Sequence, residues 1–147
     1  VLHVRSDDDN ENRGILVLEN ITVTGGKTVD EDTSDFDDSN GGGILIDNVA
    51  VAELINSTVT GNATLFDDDK GGGIANEGGL ILNNSLVSNN VSTEGGGVYT
   101  SFGKTIIGNS TIRDNLAEGD GGFIAGGGVS HEGTRITEII NSNTKSD

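Results

Sequence analysis

No cysteine, proline, methionine or tryptophan occurs in this chain of 147 residues, and its aromatic side chains are one tyrosine and four phenylalanines. Without cysteine there are no disulfides, and this leaves the compartment open. With so few aromatics, and hydrophobic residues at 32%, a core of large side chains is excluded and stacked small aliphatics are expected instead. Basic residues are scarce: 8 Lys and Arg stand against 24 Asp and Glu, a net charge of −16. A nucleic-acid surface needs clustered Lys and Arg, so no nucleic-acid partner is expected. The same excess disfavours anionic membranes and favours solubility and cations. No apolar run approaches ~18 residues, so no direct membrane insertion is expected. No signal peptide is visible, and the chain reads as mature or as excised from a longer one. No stretch holds a 3.6-residue period, so helices are not expected. The length fits one domain, residues 1–147.

Glycine is abundant, with 24 residues, and it is clustered. A triplet followed by a β-branched residue appears four times: Gly41, Gly42, Gly43 before Ile44; Gly71, Gly72, Gly73 before Ile74; Gly95, Gly96, Gly97 before Val98; and Gly126, Gly127, Gly128 before Val129. A second motif alternates with it. Asn20, Asn56, Asn84, Asn109 and Asn141 each open a short polar and β-branched stretch, as in Asn56-Ser57-Thr58-Val59-Thr60. The steps between these asparagines are 36, 28, 25 and 32 residues, longer than a hairpin and suited to one coil of a solenoid.

The residues around each asparagine repeat by type. Two positions earlier stand Leu18, Leu54, Leu82, Ile107 and Ile139; three positions later stand Val23, Val59, Val87, Ile112 and Thr144. Residues two apart share one face of a strand. The pattern predicts three short strands per repeat: one after the glycines, one before the asparagine and one after it. The fold class is therefore all-β, a parallel β-helix of about five three-strand coils. Crossover chirality makes it right-handed. Coils ~4.8 Å apart give a rod on the order of 24 Å long. In this frame Asn20, Asn56, Asn84, Asn109 and Asn141 are corner residues, able to take left-handed angles and to stack their amides in a ladder along the rod. The glycine triplets supply positive φ at another corner.

The alternation of Gly-Gly-Gly-Ile/Val with segments ending in asparagine, Val59–Asn62, Val87–Asn90 and Ile112–Asn115, resembles the chlamydial polymorphic outer-membrane protein repeat. Related repeats occur in autotransporter-like surface β-helices. The family usually has Phe where this chain has Val59, Val87 and Ile112. The resemblance covers about residues 14 to 144. It implies a secreted or surface-displayed module, extracellular in location, used in adhesion or as a stalk, with glycans or a host surface as partners.

The segments before the triplets vary in length and carry twelve of the 24 acidic residues. Asp30, Glu31, Asp32, Asp35, Asp37 and Asp38 lie in the first, Asp67, Asp68 and Asp69 in the second, with Glu94, Glu118 and Asp120 further on. Stacked coils would bring these onto one edge, where like charges need cations or protons. Two readings stand: a Ca²⁺-binding edge, since calcium takes six to eight oxygens, or a solvated acidic fringe. No EF-hand is present, because Asn40 stands where the turn glycine would be.

Other motifs fail on spacing. Gly26-Lys27-Thr28 and Gly103-Lys104-Thr105 have Ile21 and Val98 where a phosphate loop needs glycine. A Thr-x-Thr ice-binding face, begun by Thr22/Thr24 and Thr58/Thr60, is broken by Leu86 and Arg113. His3 and His131 lie near opposite ends, and Lys104, Arg113 and Arg135 are scattered, so no enzyme is expected. The sequons at Asn20, Asn56, Asn62, Asn83, Asn90 and Asn109 follow from repeat chemistry. Neither end shows a capping helix. Two partners follow: the rest of a longer surface protein, or a second copy stacked head to tail in a filament. A carbohydrate-binding or carbohydrate-cleaving β-helix is the remaining alternative.

Overall fold

In the computed structural model the chain is a parallel β-helix. The structure describes residues 1–6, 13–28, 40–65, 69–118, 127–132, 137–140 and 143–144. The first coil runs through β1 (Leu2–Val4), β2 (Ile15–Glu19), β3 (Thr22–Thr24) and β4 (Lys27–Thr28). The second has β5 (Ile44–Ile46), β6 (Val51–Ile55), β7 (Thr58–Thr60) and β8 (Ala63–Thr64). The third has β9 (Ile74–Asn76), β10 (Gly79–Asn83), β11 (Leu86–Ser88) and β12 (Val91–Ser92). The fourth has β13 (Val98–Ser101), β14 (Lys104–Gly108), β15 (Thr111–Arg113) and β16 (Leu116–Ala117). The fifth has β17 (Val129–Glu132), β18 (Thr137–Ile140) and β19 (Asn143–Thr144).

Equivalent strands stack into four sheets, here called A to D in the order the chain meets them. Every pairing is parallel. Sheet A aligns Leu2, Ile44, Ile74, Val98 and Val129 in one row. Sheet B aligns Leu18, Leu54, Leu82, Ile107 and Ile139. Sheet C aligns Val23, Val59, Val87, Ile112 and Thr144. The repeat pattern predicts three strands per coil; the structure adds a fourth, the two-residue strands of sheet D. Two residues are too few to leave a period in the sequence.

Period-2 alternation sends one residue in each pair inward. Ile44, Ile46, Leu54, Val59, Ile74, Leu80, Leu82, Val87, Val98, Ile107 and Ile112 are fully buried and form one cluster along the axis. Each inward aliphatic meets its equivalent one coil away, so small side chains of matched shape fill the interior. At the corner between sheets A and B the core turns polar. Asn76 Nδ2 donates to Thr105 Oγ1 at 3.0 Å, and the Thr100 and Thr105 hydroxyls lie 2.7 Å apart. All three are fully buried, and their bonds to one another offset the cost of burial.

Candidate functional site

The triplets and the asparagines meet at the corner between sheets C and D. The residue six positions after the corner asparagine is Asn62, Asn90 or Asn115 in coils two to four, and Gly26 in coil one. These three asparagines point inward and are buried. Asn90 Oδ1 accepts both the backbone N–H and the Nδ2 of Asn62, each at 3.0 Å. Asn115 Oδ1 accepts the same pair from Asn90, at 3.0 and 2.9 Å. Asn62 Oδ1 accepts the Gly26 N–H at 2.9 Å. The second amide hydrogens go to carbonyls of the preceding coil, those of Val23, Val59 and Val87.

A serine ladder runs beside it. Ser85 Oγ accepts the Ser57 N–H at 3.1 Å, and Ser110 Oγ accepts the Ser85 N–H at 3.0 Å. Coil one carries Ile21 at this position, and its N–H bonds to Ser57 Oγ at 3.3 Å. In both ladders a side chain serves the backbone of the coil before it. Both therefore begin at coil two, and coil one needs neither serine nor asparagine.

The third glycine of each triplet lies against the amide ladder. A Cβ on Gly73 would stand 2.9 Å from Asn90 Nδ2 and 2.5 Å from the Gly97 carbonyl oxygen. A Cβ on Gly97 would stand 2.7 Å from Asn115 Nδ2, and one on Gly43 2.9 Å from Asn62 Nδ2. Only glycine fits beneath the amide. The first glycines, Gly41, Gly71 and Gly95, hold φ of 74, 71 and 60° and make the turn. The middle ones, Gly42, Gly72 and Gly96, sit against carbonyls of sheet D; a Cβ on Gly72 would be 2.3 Å from the Val91 oxygen. Gly127 packs likewise on the Asn115 carbonyl, and Gly128 accepts the Val98 N–H. Gly126 is outside the described residues.

The corner asparagines stand elsewhere. Asn20, Asn56, Asn84 and Asn109 have φ of 57, 49, 49 and 49° and are exposed at the turn between sheets B and C. The inter-coil amide ladder runs through Asn62, Asn90 and Asn115, six residues on. Asn141 is outside the described residues. Of the sequon asparagines, Asn20, Asn56 and Asn109 are open to solvent, while Asn62 and Asn90 are closed off.

Most of the acidic edge, Asp30, Asp32, Asp35, Asp37, Asp38, Asp67 and Asp68, is outside the described residues. Asp69 is buried. No three of His, Asp and Glu converge as metal ligands among the described residues. Beside Asp69 the structure builds a cluster of mixed charge. Lys70 Nζ donates to Tyr99 Oη at 3.1 Å and lies 3.5 Å from both Glu94 Oε2 and Glu132 Oε2. Tyr99 Oη donates to Glu132 Oε2, and Ser130 Oγ donates to Glu94 Oε1 at 3.2 Å. The ammonium also sits 4.8 Å from the Tyr99 ring centre, within cation–π range.

Burial by itself would lower the Lys70 pKa. Its bond to the Tyr99 hydroxyl, the field of that group, and then the Glu94 and Glu132 carboxylates reverse this and hold it above the ordinary lysine value. Burial first, and the bond to Glu132 next, raise the Tyr99 phenol. The Tyr99 bond, then Lys70, hold Glu132 below the usual carboxylate range. These three shifts keep Lys70 and Tyr99 protonated and Glu132 ionised at neutral pH. The cluster is thus an electrostatic brace across three successive coils. His3 is engaged in the same way: its Nε2 meets Asp47 Oδ1, and its Nδ1 accepts Arg5 Nε at 3.0 Å. His131 lies in coil five, far along the stack.

The outer faces of the sheets differ. Sheet C presents Thr22, Thr24, Thr58, Thr60, Leu86, Thr111 and Arg113, a largely polar surface. Sheet B presents Ile15, Val17, Val51, Ile55, Ile81 and Ile106, with a trough of about 310 Å³ where Gly79 leaves a gap between Val51 and Lys104. Ile15 and Val17 are 72% and 53% exposed. Sequence reasoning missed both this face and the inward asparagines. The signal for the asparagines was the constant six-residue offset; for the face it was the apolar residues on both sides of these strands, at six of the twelve outward positions of β2, β6, β10 and β14. Comparison with family models, with curated proteins and with solved structures returns no match to this chain.

Proposed function

We propose that this chain is a non-catalytic structural and adhesive β-helix module of an extracellular surface protein, akin to the repeats it resembles. The observation that supports this reading is the continuous pair of ladders through Ser57, Ser85 and Ser110 and through Asn62, Asn90 and Asn115. The buried amides and hydroxyls of these ladders bond coil to coil, which suits a stiff spacer. The exposed corner asparagines and sheet faces are the surfaces left for contact with other molecules. Single-particle negative-stain images of the pure chain test the spacer reading: rigid rods support it, and collapsed or flexible particles would refute it.

Cation stabilisation belongs to the same proposal, through the acidic segments before the triplets. A rise in Tm with millimolar Ca²⁺, reversed by chelator, supports it; a Tm indifferent to both removes calcium from the account.

One observation favours a second reading, a filament stacked end to end. The inward Leu16, Leu18 and Val23 of coil one are half-exposed although their equivalents in coil two are fully buried. Exposed apolar cross-sections and strand edges invite another coil. Filaments in the same images would support this, and discrete particles at high concentration would exclude it.

A further inference from the structure

We propose that the outer face of sheet B is a homodimer interface on which two copies pack side by side with their axes antiparallel. Outer sheet faces of a solvated solenoid are polar, as sheet C is here. In β2, β6, β10 and β14 the outward positions instead hold six β-branched aliphatics. Six apolar side chains gathered on one sheet face, among Glu19, Glu53, Asn83 and Lys104, mark a contact surface.

The charges on this face select the occupant. A molecule of net charge −16 repels its own copies over most of its surface. On this face, among the described side chains, the cations Arg13 and Lys104 offset Glu19 and Glu53. The balance of two against two contrasts with 8 against 24 for the whole chain, so here self-approach is least opposed.

The order of the charges along the stack selects the orientation. Glu53 is in coil two and Lys104 in coil four. In a parallel pair each would face the coil that carries its own like charge. In an antiparallel pair centred on coil three, Glu53 faces the coil that holds the partner's Lys104, twice by symmetry. Ile81 lies near the two-fold axis opposite its own copy, and Gly79 removes the side chain that would collide there. Such an interface is isologous and closes at two copies. Five strands ~4.8 Å apart and ~17 Å long bury on the order of 1,000 Å² in total, the low end for a specific contact. The dimer is expected to form in the micromolar range.

The test is sedimentation equilibrium of the whole chain across micromolar concentrations. The wild type is expected to move from 15.1 kDa toward twice that mass. Glu53→Lys and Lys104→Glu should each weaken association about tenfold, and the double exchange should restore it to within about threefold. Ile81→Lys should abolish it. All three residues point outward, so circular dichroism should be unchanged; if Ile81→Lys misfolds, the charge exchange alone carries the test. A monomer at every concentration overturns the proposal. So does a dimer insensitive to these changes, or a double exchange that fails to restore it. None of these results would affect the structural-module reading, which rests on the ladders.

Discussion

Asn90 Oδ1 accepts two bonds from one residue of the preceding coil, the backbone N–H and the Nδ2 of Asn62, both at 3.0 Å. A fully buried amide thereby satisfies a backbone donor of its neighbour and fixes the spacing of the two coils. Net hydrogen-bond gains are modest, but a buried donor left without its partner costs about 1–3 kcal/mol.

Asn90→Ala strands two donors of Asn62 and opens a void beside Gly73. Equilibrium unfolding in urea is expected to show a loss of about 3 kcal/mol. Asn84→Ala, at the exposed corner six residues earlier, should cost about 1 kcal/mol, the price of a left-handed backbone without glycine or asparagine. Equal losses would mean that the two asparagines do the same work, against this account.

Gly73→Ala places a methyl group 2.5 Å from a carbonyl oxygen and 2.9 Å from Asn90 Nδ2. Coils cannot separate locally while their other three sheets stay bonded. The expected loss is about 3 kcal/mol or more. A variant that melts within a degree of the wild type would show that the stack is looser than described.

Much of this architecture was readable beforehand, and the exceptions have physical causes. Equivalent aliphatics such as Leu54, Leu82 and Ile107 announced the coil because stacking requires like residues in like places. The corner asparagines were legible as turns for the same reason. The amide ladder fell on Asn62, Asn90 and Asn115 because an inward amide needs a glycine beneath it, and that contact joins residues distant in sequence. Sheet D was invisible because two residues carry no period. The brace of Lys70, Tyr99 and Glu132 spans 62 residues of sequence and has no repeat signature. The long acidic segments remain a composition signal, since all but Asp69 of the proposed calcium ligands lie outside the described residues.

Val49 and Phe102 hold φ of 61 and 54° at the turn between sheets A and B, where asparagine or glycine would be at ease. A β-branched residue in this region is strained by about 1–3 kcal/mol. Val49→Asn is therefore expected to stabilise the chain by about 1 kcal/mol, read as a higher urea midpoint with an unchanged slope. A lower midpoint would mean that the valine side chain makes contacts that outweigh its backbone strain.

The brace gives opposite signs at the two ends of the pH scale. Glu132 has a lowered pKa, so its contribution is present above the ordinary carboxylate value and fades as pH falls through the folded one. Lys70 and Tyr99 have raised values, so theirs is present below the ordinary values and fades as pH rises past them. Urea unfolding of wild type and Glu132→Gln should differ at pH 7 and converge in acid. A gap that stays constant from pH 7 to strong acid would contradict the ion-pair role.

A double-mutant cycle between Asn62 and Asn90 tests the central claim most directly, that inward amides bond one coil to the next. Asn62→Ala, Asn90→Ala and the double variant are unfolded in urea alongside the wild type. The account predicts a coupling of about 1–2 kcal/mol, with the double variant losing less than the two single losses together. Strictly additive losses would mean that the two amides do not act on each other, and the ladder would not hold the stack.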